Sequence, residues 1–169
     1  MAMNQLKSRV DGDKVLVLER IFNAPQELVF QMFKEPEHLK HWWGPAGWEL
    51  PVCNIDFRPG GTWHYCMKCM EQGEYYGMES WGKAIYKDIV EPEMIHYTDY
   101  FSDADGNIDE SLPASNNTVE FIDLDGTTKL VNRSEYVSAE ELQKVLDMGM
   151  LHGITETWDR LEKHLQELK

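Results

Sequence analysis

The C-terminal part of the chain carries a long amphipathic pattern, and no other feature constrains the fold as strongly. Ser138 and Glu141 have the spacing of a capping box, which predicts a helix that begins near Ser138. From there, apolar residues and two glycines recur at helical spacing almost to the last residue. They are Leu142, Leu146, Gly149, Gly153, Ile154, Trp158, Leu161, Leu165 and Leu168. A helix of this length is too long for a local cap, so we expect it to lie across a β-sheet.

The residues before this helix predict the sheet. Strand-like segments lie at residues 14–22, 50–57, 62–70, 75–90, 94–101, 118–124 and 129–137, with turn residues between them. Two short helices are expected after the first segment, because Pro25 and Pro36 each suit the first turn of a helix. Residues 102–117 are long and acidic, and we expect a mobile loop there. The pattern predicts an antiparallel meander of about seven strands.

The length and the charge of the chain limit the domain organisation and the binding partners that we expect. With 169 residues and 42% hydrophobic content, the chain predicts a single domain over residues 1–169, with a flexible segment at 1–13. The 30 acidic and 16 basic residues give a net charge of -14. Such a surface repels phosphate groups, so we expect no nucleic acid and no membrane as a partner. The chain shows neither a spanning apolar run nor a signal-peptide pattern, and the cytoplasm is therefore the expected compartment.

Cysteines and histidines do not predict a metal or redox site. Cys66 and Cys69 have the spacing of a metal or redox dyad, but the alternation around them predicts a strand, in which residues three apart face opposite sides. His38 and His41 lie three apart on a short helix, yet such a pair needs a third ligand. No dinucleotide, phosphate-binding or nucleophile motif occurs. We expect no metal and no cofactor.

Aromatic residues are concentrated around one place on the predicted inner surface. Trp42 and Trp43 adjoin a turn, and Trp63, Tyr65 and Met67 alternate along one strand. If alternation holds, one sheet face carries these residues together with a few polar side chains of later strands. The sequence predicts a hydrophobic cavity between the sheet and the C-terminal helix. The expected ligand-binding residues are Trp43, Trp63, Tyr65, Met67, Trp81, Tyr97, Asp99, Phe121, Asn132, Ser134, Met150, Ile154 and Trp158.

The polar members of this set and the helix glycines admit two interpretations each. Asp99, Asn132 and Ser134 would lie among aromatics, where an unpaired polar group costs about 1–3 kcal/mol, so each needs a partner. They either orient a small molecule or lie at wet strand ends. Gly149 and Gly153 share a helix face, and they either allow close approach to the sheet or leave room for a pocket.

Several motifs occur in a characteristic order along nearly the whole chain. They include Trp42-Trp43-Gly44-Pro45, Asp56-x-Arg58-Pro59-Gly60-Gly61, Trp81-Gly82-Lys83 and the run at 149–161. In these motifs the chain resembles the START-like superfamily, also called birch-pollen-allergen-like or SRPBCC, and within it the family of activator of heat-shock-chaperone ATPase homologues. The resemblance implies an α+β helix-grip fold, in which a curved antiparallel sheet wraps a long C-terminal helix and two short helices close one end.

Three functions remain open. The first is a cytoplasmic protein that binds a hydrophobic or aromatic small molecule. The resemblance also implies a cyclase or hydratase, in which Asp99, His152 or Tyr97 would act as acid or base and would need a burial-shifted pKa. A third is a chaperone-associated or stress-response module, but the chain lacks the activator's other region and we do not expect a chaperone partner. Because Asp99 is a solitary inward carboxylate, the sequence favours the binding protein over the enzyme. A homodimer stays open.

Overall fold

The computed structural model describes residues 5–168 and shows an antiparallel sheet of eight strands. The strands are β1 (Lys7–Asp11), β2 (Val15–Phe22), β3 (Trp48–Ile55), β4 (Thr62–Cys69), β5 (Glu79–Val90), β6 (Met94–Phe101), β7 (Ser115–Asp123) and β8 (Thr128–Glu135). Their order in the sheet is β1-β2-β8-β7-β6-β5-β4-β3. Helices α1 (Gln26–Lys34) and α2 (Pro36–Trp42) follow β2, and α3 (Ala139–Asp147) and α4 (Met150–Glu167) follow β8. The predicted α+β helix-grip architecture is confirmed.

The first strand lies in a segment that the sequence predicts to be flexible. Lys7–Asp11 pairs with β2 and adds an eighth strand at the edge of the sheet, so the expectation for residues 1–13 is wrong in this range. Residues 1–4 lie outside the described part of the chain. All of β1 is exposed, so it has no buried face and no alternation of apolar residues that could indicate a strand. An ion pair between Arg9 and Glu19, 3.2 Å long, supports the backbone pairing.

The predicted single C-terminal helix is in fact two helices. Ser138 caps α3 as its sequence pattern predicts, because its hydroxyl accepts a hydrogen bond of 3.2 Å from the backbone N–H of Glu141. The chain then breaks at Gly149, which has a φ of 84° and is the N-cap of α4. This left-handed conformation is open to glycine at little cost and interrupts the helical hydrogen bonds. The expected continuous helix from Ser138 is corrected here, and α3 and α4 approach the sheet separately.

The two halves of α4 pack differently against the sheet. In the C-terminal half, Trp158, Leu161 and Leu165 are at most 2% exposed and belong to the core. In the N-terminal half, Met150 and Ile154 are only half-buried. Close packing therefore fixes one half of the helix, while a cavity lies beneath the other.

The short helices α1 and α2 close one end of the sheet and place the aromatic turn after α2. Pro36 occupies the first turn of α2, where its missing N–H has no cost. Trp42 ends α2 fully buried, and its indole N–H donates a 3.1 Å hydrogen bond to the carbonyl of Met32 in α1. This anchor directs the next residue, Trp43, towards the inner face of the sheet. None of the helices within residues 5–168 is long and apolar enough to cross a membrane.

Candidate functional site

A cavity of about 300 Å³ lies between the inner face of the sheet and the N-terminal half of α4. Its walls come from strands β2 and β4 to β8, from α3 and α4, and from the turn after α2. The residues that line it are Leu18, Trp43, Gly44, Pro45, Tyr65, Met67, Ser80, Trp81, Tyr97, Asp99, Tyr100, Phe101, Pro113, Ser115, Asn117, Asn132, Ser134, Tyr136, Val145, Met150, Gly153, Ile154 and Thr157. The volume is at the lower end of the range typical of small-molecule sites.

Most of the residues predicted to bind a ligand lie on this lining. Strand alternation brings them together, because residues two apart on β4, β6 and β8 face the same side of the sheet. The predicted residues on the lining are Trp43, Tyr65, Met67, Trp81, Tyr97, Asp99, Asn132, Ser134, Met150 and Ile154. Their role in binding stays a prediction.

Three predicted residues lie in the core instead of on the lining. Trp63 is behind Trp43, with ring centroids 4.7 Å apart. Phe121 packs against Phe30 of α1 at 5.0 Å, and Trp158 meets a phenylalanine ring of β2 at 5.9 Å. All three face the expected side of the sheet or helix. They miss the cavity because other aromatic side chains fill the space in front of them.

Polar side chains on β7 and β8 form a connected row along one wall of the cavity. The hydroxyl of Ser134 donates a 2.6 Å hydrogen bond to Oδ1 of Asn117. The amide of Asn117 donates to the hydroxyl of Ser115 at 2.9 Å, and the amide of Asn132 donates to Ser134 at 3.4 Å. The other amide atom of Asn132, Oδ1, is buried without a hydrogen-bond partner. The side chains of the row thus donate to one another, and the Asn132 oxygen remains an acceptor without a partner.

Asp99 continues this polar wall on β6, opposite Ser115 in the strand register. Its side chain faces the cavity, and the hydroxyl of Tyr65 donates to the two carboxylate oxygens at 3.3 and 3.4 Å. Burial disfavours the charged carboxylate and raises the pKa of Asp99 to about 7, although the bonds from Tyr65 and from the backbone of Tyr100 act in the opposite direction. Burial and the nearby Asp99 carboxylate together raise the pKa of Tyr97 well above its usual value.

Arg160 of α4 holds the turn that closes the cavity. Its guanidinium donates hydrogen bonds to the carbonyls of Gly44, Pro45 and Trp48 at 2.7, 3.1 and 3.2 Å. A further N–H donates to the carbonyl of His41 at 3.2 Å. The planar fork of arginine suits several acceptors at once, so one side chain fixes the position of Trp43 through its neighbours.

Several lining residues come from a segment that the sequence predicts to be a mobile loop. Pro113, Ser115 and Asn117 lie within residues 102–117, but β7 already begins at Ser115. The alternation of Val119 and Phe121, extended towards the N-terminus, places Asn117 and Ser115 on the same face. This signal is present in the sequence, but polar residues weaken it.

Three histidines, two on α2 and one on α4, form a separate contact outside the cavity. Nδ1 of His38 lies 3.0 Å from Nε2 of His164, and the ring of His41 stacks on His164 at 4.5 Å. Burial and the two neighbouring imidazoles lower the pKa of His164. Within the described residues, no three His, Cys, Asp or Glu side chains are arranged to hold a metal ion. The contact joins α2 to α4.

Comparisons with known proteins assign this fold and chain to a family. The model of the family described as Activator of Hsp90 ATPase homolog 1-like protein matches residues 23–166. A crystal structure of a protein from Mycobacterium smegmatis is 31% identical, with a TM-score of 0.84 over 94% of this chain and 95% of that chain. A solution structure of a protein from Arthrobacter aurescens is 25% identical, with a TM-score of 0.86 over 95% of this chain and 91% of that chain. Among curated proteins, none matches this sequence. The chain belongs to the family of Activator of Hsp90 ATPase homolog 1-like proteins and has their START-like fold.

Proposed function

We propose that this protein binds a hydrophobic or aromatic small molecule in the cytoplasm, within the cavity between the sheet and α4. The observation that carries the proposal is the composition of the lining. Trp43, Met67, Trp81, Met150 and Ile154 provide apolar surface, and a few polar groups lie together on one wall. This combination is typical of small-molecule sites, in which apolar area supplies affinity and a few polar groups set orientation.

The packing of α4 supports the same proposal. Side chains that border a cavity lose the dispersion contacts that a solid core would give them. Here the loss is confined to the N-terminal half of α4, whereas Leu161 and Leu165 in the other half are fully buried. A bound molecule would restore contacts to Met150 and Ile154 without displacing the core.

A fluorescent probe tests the proposal directly. We expect the neutral dye N-phenyl-naphthylamine to bind with a rise in its fluorescence and to quench tryptophan emission, because Trp43 and Trp81 lie on the lining. Replacing Ile154 with Trp should weaken dye binding by about tenfold or more, since an indole would occupy much of the cavity. Mass spectrometry under native conditions would show whether a molecule co-purifies with the protein.

The control variant is His152→Trp, which adds the same indole to an exposed position of the same helix. We expect it to bind the dye as the unaltered protein does. If neither the unaltered protein nor the control binds the dye, or if Ile154→Trp binds it equally well, the proposed binding site is wrong.

A second candidate function is acid–base catalysis in the same cavity. The observation that favours it is Asp99, because its pKa of about 7 suits a general acid or base at neutral pH. Tyr65 would hold the carboxyl group in place through the hydrogen bond at 3.3 Å. This function would make the protein a cyclase or hydratase instead of a carrier.

Turnover distinguishes the two candidates. An enzyme would convert more than one equivalent of substrate, and Asp99→Asn would abolish this turnover while dye binding and the fold survive. A carrier would show no turnover with any cyclisable or hydratable compound, and the same substitution would change only affinity or stability.

A further inference from the structure

We propose that the ligand is an organic cation, a hydrophobic or aromatic molecule whose protonated amine binds at the carboxylate of Asp99. This inference rests on the proposed function, because it names the chemical class that the same cavity would select. It is carried by the hydrogen-bonding capacity of the polar wall, by the charges on the lining and by the aromatic rings around them.

The carboxylate of Asp99 has unused capacity as an acceptor. Its partners are the backbone N–H of Tyr100 and the Tyr65 hydroxyl, and the distances of 3.3 and 3.4 Å to that hydroxyl are longer than the usual range for such bonds. Within the described part of the chain, the lining contains no lysine, arginine or histidine that could pair with it. A carboxylate on the wall of an apolar cavity without a cation is the group that a ligand ammonium would complement.

The neighbouring amides also present an acceptor rather than a donor. An amide N–H of Asn132 donates to the hydroxyl of Ser134, and that hydroxyl donates to Asn117. The amide of Asn117 in turn donates to Ser115. The Ser134 hydroxyl and the Asn117 amide therefore donate within the protein, while Oδ1 of Asn132 has no partner. A ligand that brings N–H donors fits this unpaired acceptor, whereas a carboxylate or phosphate would share the wall with the Asp99 carboxylate.

Aromatic rings and the net charge favour the same ligand class. Trp43, Trp81, Tyr97 and Tyr136 lie on the lining, and the faces of such rings attract cations that are shielded from water. The net charge of -14 raises the local concentration of cations around the protein and disfavours anions. Both effects add to the attraction of Asp99.

Asp99 is the group on this wall that titrates near neutral pH. The ionisable groups around it are the phenols of Tyr65 on β4, Tyr86 on β5, Tyr97 on β6 itself and Tyr136 after β8, and each of their pKa values is raised above the usual value. The phenols therefore stay neutral between about pH 5 and pH 8. From α3 and α4, the described lining residues contribute no ionisable side chain.

A matched pair of probes tests the inference. Naphthylmethylamine and naphthalenemethanol have the same ring and similar size, and the amine stays protonated through about pH 8. At that pH we expect the amine to bind about tenfold or more tightly than the alcohol, and we expect the preference to shrink towards about pH 5 as Asp99 takes up a proton. Calorimetry near neutral pH, in buffers of different ionisation enthalpy, should show that binding of the amine releases a proton.

Two substitutions separate the local charge from the net charge. Asp99→Asn should remove the preference for the amine and leave the affinity for the alcohol within about threefold. Asp88→Asn makes the same change in net charge at an exposed position of β5 and should preserve the preference. Equal binding of both probes at every pH, or an amine preference that survives in Asp99→Asn, would overturn the inference and leave the proposed binding function intact. If neither probe binds, the proposed function itself fails.

Discussion

Replacing Asp99 with Asn should stabilise the protein at neutral and alkaline pH and have little effect in acid. In the unfolded chain this carboxyl loses its proton near its ordinary pKa of 3.8, whereas in the folded protein it retains the proton up to about pH 7. Between these values the folded state binds more protons than the unfolded state, so the free energy of unfolding falls as pH rises. Above about pH 7 the full penalty of a buried charge is present, and the Asn side chain avoids it.

The size of the effect follows from the two pKa values. One pKa unit corresponds to about 1.4 kcal/mol, so a difference between 3.8 and about 7 corresponds to about 4 kcal/mol. Asp99 is half-buried because it faces a cavity that water can enter, which reduces the penalty. We expect Asp99→Asn to raise the free energy of unfolding by about 2–4 kcal/mol at pH 8 and to leave it nearly unchanged near pH 4.

Urea denaturation of both proteins at several pH values measures this difference. Many other groups titrate in the same range, but they are common to the two proteins and cancel in the comparison. Asp88→Asn, an exposed substitution that removes an ion pair of 3.6 Å with His96, should change the free energy of unfolding by less than about 1 kcal/mol at every pH. A carbon-NMR titration of the Asp99 carboxyl would give its pKa directly. A stability gain that is the same at pH 4 and pH 8, or a carboxyl that titrates near 4, would refute the reasoning.

Three further predictions concern α4. Gly149→Ala should destabilise the protein by about 1–2 kcal/mol because Gly149 has a left-handed φ of 84°. Gly153→Ala should instead stabilise the helix by about 0.5–1 kcal/mol. It should also weaken dye binding, since its methyl group enters the cavity 3.7 Å from Pro45. Thermal unfolding compares the stabilities of the two variants, and dye titration measures the binding by Gly153→Ala. A Gly149→Ala variant that is more stable than Gly153→Ala would contradict the helix break at Gly149. Because the pKa of His164 is lowered on folding, stability should fall as pH drops below about 6.5, and His164→Gln should flatten this dependence in urea denaturation. Arg160→Lys should lower the free energy of unfolding by about 1.5–3 kcal/mol and speed dye release in stopped-flow measurements, because an ammonium cannot reach all of the carbonyls. An unchanged release rate would contradict the role given to this residue.

The sheet and its inner face follow from the sequence because strand periodicity is strict. Once β6 and β8 are recognised, Tyr97 and Asp99 must share a face, as must Asn132 and Ser134, and the register of the sheet then brings the two pairs to one wall. This reasoning does not predict the edge strand β1. Its pairing uses backbone groups and the Arg9–Glu19 ion pair, and an exposed strand imposes no apolar pattern on its side chains.

The outline of the cavity does not follow from periodicity. Trp63 and Tyr65 have the same parity on β4, yet Trp63 is covered by Trp43 and Tyr65 reaches the lining. What separates them is the Trp43 ring, which packs in front of Trp63 and depends on the rotamers of large side chains. Rotamers cannot be derived from the spacing of residues in one sequence.

The proposed binding function accounts for the polar residues of the inner face. A core surface of alternating strands is stabilised by apolar side chains, and Asp99 and Asn132 both depart from this rule on the cavity wall. Burial raises the pKa of Asp99, so we expect this residue to lower the stability at neutral pH, and Asn132 contains a buried oxygen without a partner. Substituting either by a residue that fits the local rule should stabilise the fold, as is common for residues that serve a site rather than a core. In the ligand proposed above, a protonated amine supplies the donor that the Asp99 carboxylate lacks and offsets part of this cost.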